Sequence, residues 1–157
     1  MTDKATVIHD LELGYQEFRG PMDRLEDDDF EEVWLGTWNL AQLLAHMAGW
    51  YREMTAAIER VGRGERPVPE GVDYSDADAW NAKFEKLAKH GRASLRDFDE
   101  AYHAYLEAAK ALPAETYGVD EKSGRPKIGN RLLQGSGIGH FEEHQAELDS
   151  WLKTKDD

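Results

Sequence analysis

The chain has no cysteine among its 157 residues. That excludes disulfides, a cysteine nucleophile and thiolate metal ligands, so any thiol chemistry must draw its thiol from a second substrate. Basic residues are scarce: 19 Lys and Arg stand against 32 Asp and Glu, a formal net charge of −13. Phosphate backbones call for a basic footprint, so this balance argues against a nucleic-acid partner. No stretch approaches the ~18 consecutive apolar residues of a membrane span. The N-terminal stretch carries acids inside its apolar region and no signal-peptide pattern. A cytoplasmic protein without a membrane partner is the expectation. Strand-like alternation is missing too; every periodic segment repeats at 3.6 residues. The acidic clusters Asp27-Asp28-Asp29, Glu31-Glu32 and Asp156-Asp157 read as solvated loops and ends.

What is present is enough for one domain, residues 1–157, with a substantial core: 40% of residues are apolar and five are tryptophan. A first helical segment runs from about Asp3 to Glu26 with the stripe Val7, Leu11, Tyr15, Phe18, Met22 and Leu25, kinked or broken at Gly20-Pro21. Glu26 to Glu32 makes a loop. The second segment spans about Trp38 to Val61, capped by Thr37 or Asn39, the latter at capping-box spacing from Gln42. The third begins at Ser75 and Asp78, also at capping-box spacing, and carries Trp80, Phe84, Leu87, Leu95, Phe98, Tyr102, Tyr105, Ala109 and Leu112. Unbroken it would be ~54 Å long, against ~35 Å for its partners. The mismatch predicts a break at His90-Gly91, with Ser94 and Asp97 as a fresh capping pair and Pro113 as the stop. A polar loop, with room for a turn of helix, leads to the last helix, about Asn130 to Lys153. Gly135, Gly137 and Gly139 lie in its first half. Either they let the backbone approach a neighbour or the helix starts only near Gly139. The sum is an all-α four-helix bundle with an extra short helix or break before the third long helix.

Three histidines stand out. Leu133, Gly137, His140, His144, Leu148 and Trp151 fall at steps of three or four and share one helix face. His46 occupies a similar place in WNLAQLLAHMAGWYREM. A buried imidazole without a partner costs roughly 1–3 kcal/mol, and one metal ion is the simplest common partner for three. Zinc, nickel and iron(II) accept neutral imidazole, and three protein ligands leave positions open for water or substrate, the catalytic arrangement. The alternative is three separately hydrogen-bonded core histidines. His9, His90 and His103 lie off the stripes and read as exposed. His140-Phe141-Glu142-Glu143-His144 also matches the H-x-x-E-H protease pattern, but those enzymes need an acidic ligand from a later helix and only 13 residues follow His144. Glu143 is a candidate catalytic base; its ordinary role is a solvated glutamate. Trp38, Gln42, Trp50, Trp80 and Asn81 could line a mostly apolar pocket near the metal.

These residues carry a resemblance. TWNLAQLLAHMAGW, the Trp80-Asn81 stretch and Gly139-His140-x-x-x-His144-x-x-x-Leu148 together resemble the DinB/YfiT-like superfamily of bacterial four-helix bundles, which includes the N-terminal domain of mycothiol-dependent maleylpyruvate isomerase. The resemblance implies that His46, His140 and His144 bind one divalent ion, nickel, zinc or iron. It also implies an S-transferase or isomerase using a low-molecular-weight thiol such as bacillithiol, mycothiol or glutathione, or else a metal-dependent hydrolase, acting on a small electrophile. Some relatives are stress-induced, and a non-catalytic metal- or ligand-binding bundle is the alternative. Dimers are common, so a homodimer is expected. A related group, the ClbS/DfsB-like bundles, shares the architecture without a reliable metal triad. The second domain of the fused isomerases is not expected here.

Overall fold

In the computed structural model, residues 3–155 are described, and the Asp156-Asp157 tail lies outside them. The first helix, α1 (Lys4–Arg19), starts where the Asp3 carboxylate accepts the Thr6 N–H at 2.9 Å. Gly20-Pro21 ends it as expected: proline cannot supply the next helical N–H. The chain tightens there into a 3₁₀ turn, Gly20–Arg24, which keeps Met22 in the core.

The acidic stretch is more than a solvated loop. Asp27–Glu31 forms a second 3₁₀ turn with Phe30 fully buried. Its carboxylates are used: Asp27 accepts the Arg92 N–H at 2.8 Å, Glu31 accepts the Gly91 N–H at 2.9 Å, and Lys155 pairs with Asp29 and Glu32. Next comes a short hairpin, β1 (Val33–Leu35) and β2 (Trp38–Asn39), turning at Gly36 with φ +61°. It corrects the expectation that no strand forms and that Trp38 begins a helix. Val33, Trp34 and Leu35 are strand-formers, too few to produce a visible alternation. The helix α2 (Leu40–Gly62) starts after them at the Asn39/Gln42 capping box, whose two bonds are both 2.8 Å.

The break in the third segment is where the length argument put it, but the caps differ. Asp76, not Ser75, caps α3 (Ala77–Glu85) through the Ala79 N–H. Gly91, at φ +54°, precedes α4 (Arg92–Ala111), and Ser94 donates its hydroxyl to the Gly91 carbonyl from inside the helix. Asp97 is no cap either; it pairs with Arg52. A 3₁₀ turn, Ala114–Thr116, and an isolated bridge from Val119 to Pro126 fill the connection. The last helix is continuous but mixed: α5 (Ile128–Leu133), a π turn (Gln134–Ile138) and α6 (Gly139–Lys153).

The bundle closes around α2 and α4, its most extensively packed pair. Tyr15, Phe18, Tyr51, Phe98, Tyr102, Tyr105 and Phe141 form one aromatic core, with Tyr51 stacked on Tyr105 at 5.1 Å. The Tyr51 hydroxyl is buried without a hydrogen bond. Removing an unpartnered buried hydroxyl relieves its desolvation cost, so Tyr51→Phe is expected to raise stability by roughly 1–2 kcal/mol in urea unfolding. A loss instead would mean the hydroxyl has a partner. No helix among the described residues is long and apolar enough to cross a membrane.

Candidate metal centre

The bundle brings the three singled-out histidines together. The His46 ring from α2 lies 5.0 Å from His140 and 6.2 Å from His144, both on α6, and those two lie 6.1 Å apart. His46 and His144 are 7% and 9% exposed. The Nδ1 atoms of all three are buried without a hydrogen-bond partner. His9, His90 and His103 are exposed, as expected.

Desolvation lowers the His46 pKa to about 4, reinforced by His140, while the Asn81 side chain pulls the other way. Desolvation also takes His140 to about 4, aided by His144 and opposed by the Ser136 carbonyl. Both rings are therefore neutral at pH 7, the form that ligates metals. In the metal-free protein both bind fewer protons folded than unfolded between about pH 4 and the ordinary 6.5. Stability is then full above pH 6.5 and falls as the pH drops toward 4, each ring contributing a slope of up to about 1.4 kcal/mol for every pH step of one. Urea midpoints across that range are expected to decline, and the decline to flatten in His46→Ala/His140→Ala. A slope unchanged in that variant would assign the acid sensitivity to carboxylates.

The donors suit a divalent ion of borderline softness, since all are imidazoles. Rings held ~2.0–2.1 Å from one ion through nitrogen stand about 5 Å apart. One separation matches and two are about 1 Å wider; accordingly, no three ligand groups among the described residues already stand in a metal-holding arrangement. The donor chemistry and the convergence of the three rings from two helices fit a metal.

Around the rings, α3 forms a polar rail antiparallel to α2. Asn81 accepts the Trp50 indole N–H at 2.8 Å and faces His46, and Glu85 accepts from Gln42 at 3.0 Å. Trp38 covers His46 at 5.2 Å. Trp80 packs against Trp50 at 6.1 Å and donates to the Asp73 carbonyl. Of the five expected pocket residues, Trp38 and Asn81 thus adjoin His46, while Trp50 and Trp80 pack on each other and Gln42 meets Glu85. Glu143 is exposed, and its charge reaches His46 only as a minor influence. Two carboxylates escaped the sequence reading. Glu147 lies 3.6 Å from His144 Nδ1, and Glu85 is half-buried beside Gln42. The i, i+3 spacing of His144 and Glu147 could have flagged the first; nothing local could have flagged Glu85.

The profile of the family described as the mycothiol maleylpyruvate isomerase N-terminal domain matches residues 11–122, a stretch that holds His46 but not His140 or His144. No curated protein matches the chain. Among solved structures, the colibactin self-resistance protein ClbS in complex with dsDNA superposes with a TM-score of 0.79 at 13% identity, covering 96% of each chain. The sibling lethal factor precursor DfsB gives 0.78 at 16% identity over 99% of this chain and 98% of its own. The mycothiol-dependent maleylpyruvate isomerase gives 0.68 at 14% identity over 92% of this chain, which spans 60% of that one. These likenesses establish a DinB-like helical bundle. They also correct the expectation, drawn from net charge, of no nucleic-acid partner. ClbS binds duplex DNA on this fold, so the fold offers no ground for that exclusion. Total charge sums the whole surface, while DNA contacts only a patch of it.

Proposed function

The chain belongs to the mycothiol maleylpyruvate isomerase N-terminal domain family, and from that premise we propose that it is a metal-dependent enzyme acting on a small electrophile, with a low-molecular-weight thiol or water as nucleophile. The observation that carries the reading is the meeting, from two helices, of the buried His46 and His144 with the half-buried His140, no Nδ1 of the three making a hydrogen bond. His46, His140 and His144 would hold one nickel, zinc or iron(II) ion, and such an ion acidifies a bound thiol or water toward neutral pH. Glu147 is near enough to His144 to orient its ring, the usual part of a carboxylate behind a ligating histidine. Trp38 packs on His46 and supplies an apolar face there. Glu85 is held by Gln42, one turn before His46 on α2. The absence of cysteine from the chain agrees with a thiol brought from outside.

The test is conjugation of monochlorobimane with mycothiol, bacillithiol or glutathione. The protein is expected to accelerate one of the three over thiol alone, and His140→Ala to abolish the acceleration. No acceleration with any of them, combined with ester hydrolysis that needs metal, would move the nucleophile from thiol to water. Neither activity would leave a binding protein.

A second reading rests on a local charge pattern. Lys86, Lys89, Arg92 and Arg96 form a segment without acids, although Asp27, Asp28 and Glu31 border it. Under this reading the segment contacts duplex DNA, as ClbS does by surfaces of its own. Duplex binding at about 50 mM salt that falls steeply by about 200 mM, and is lost in Lys86→Glu/Arg96→Glu, would favour it; no binding at the lower salt would dismiss it.

A further inference from the structure

The helix bearing His140 and His144 reaches them through its π turn. There the Gly139 N–H bonds back five residues to the Gln134 carbonyl. A π turn accommodates one extra residue, so reverting to unbroken α-helix would rotate all that follows by about 100°. That rotation would carry both histidines off the face that meets α2. Such turns are rare and cluster at functional sites, and this one has visible supports. Tyr105 on α4, fully buried, donates its hydroxyl to the Leu132 carbonyl at 2.6 Å, just before the π turn begins. Gly137, inside the turn, is pressed against the same hydroxyl: a Cβ there would lie 2.7 Å from it. A Cβ at Gly139 would lie 2.8 Å from the Gln134 carbonyl, so the turn needs glycine at that position too.

We infer that Tyr105 is a positioning residue whose hydroxyl holds the π turn in register, and that the register aims His140 and His144 at His46. The consequence for metal rests on the proposed metal-dependent function; the structural step does not. Tyr105 touches neither ring and acts only through the turn.

Tyr105→Phe is compared with Tyr117→Phe, which deletes another buried hydroxyl bonded to a backbone carbonyl, that of Ala109, from a ring packed on Gly129 five residues before the turn. Residue-resolved amide exchange on the metal-free proteins is the first readout. Tyr105→Phe is expected to speed exchange at residues 137–141 by about tenfold over Tyr117→Phe, the equivalent of one hydrogen bond. Cobalt(II) titration is the second. Tyr105→Phe is expected to weaken binding by about tenfold or more and alter the visible cobalt spectrum, as loss of a supporting contact does, while Tyr117→Phe leaves both unchanged. Equal exchange in the two variants overturns the inference. Faster exchange with unaltered cobalt binding overturns the link to the histidines. A wild-type protein that binds no cobalt overturns the metal reading, and the exchange comparison still decides the part of Tyr105.

Discussion

Purified without a polyhistidine tag, the protein is expected to hold about one divalent metal ion per chain, and His140→Ala is expected to hold almost none. The effect should be large because the three rings act as one unit. At a free metal concentration about 1,000 times the dissociation constant, binding stabilises the fold by about 4 kcal/mol. For a domain of this size that is on the order of 10 °C in melting temperature. Added metal should therefore raise the wild-type melting temperature by that much and leave the variant where it is. The metal-free proteins should differ far less, because removing an imidazole whose Nδ1 is buried without a partner offsets part of the packing lost. Core histidines that merely pack would give the opposite pattern: unchanged metal content and a variant destabilised with or without metal. Elemental analysis and thermal scans with and without chelator decide between the two.

Much of the bundle was legible because helix periodicity is local. The stripes through Val7 and Leu11 and through Phe98 and Tyr102 face the core. The broken third segment followed from length alone. Phe30 was hidden because a single apolar residue among acids has no period, and its burial depends on the 3₁₀ turn around it. The caps of α3 and α4 shifted because several residues there can cap, and tertiary contacts choose among them; Asp27 and Glu31 reach across from another element to the start of α4.

The site divides in the same way. His140 and His144 are spaced to share a face, and His46 lies on the apolar face of its own helix, so their meeting was foreseeable. The glycines before His140 marked an unusual backbone, but its form depends on Tyr105, 32 residues upstream of Gly137. Glu85 reaches Gln42 only because α3 folds back along α2. Short-range pattern finds ligands on one helix; the partners that orient and surround them come from contacts the pattern does not contain.

What brings α3 so close is Gly49, and Gly49→Ala is expected to displace the helix. A Cβ at this position would lie 2.2–2.7 Å from three atoms of the Phe84 ring. Phe84 is the buried residue of α3. In an open helix the substitution would add up to ~1 kcal/mol through helix propensity. Here the overlap forces the ring out, and overpacking of this kind costs typically ~1–3 kcal/mol. Losing the Phe84 seat also strains the Trp50–Asn81 and Gln42–Glu85 bonds, which join the same two helices. The variant should show red-shifted tryptophan emission from Trp50 and Trp80, together with faster proteolysis between residues 63 and 76. His46, His140 and His144 are on α2 and α6, so metal content should survive while turnover of the electrophile falls. That split would make α3 the substrate wall and the three histidines an independent ligand set. Loss of metal along with the wall would mean that Asn81 and its helix support His46 directly. A more stable variant with unchanged emission would mean that Phe84 repacks and that Gly49 is not what holds α3 in place.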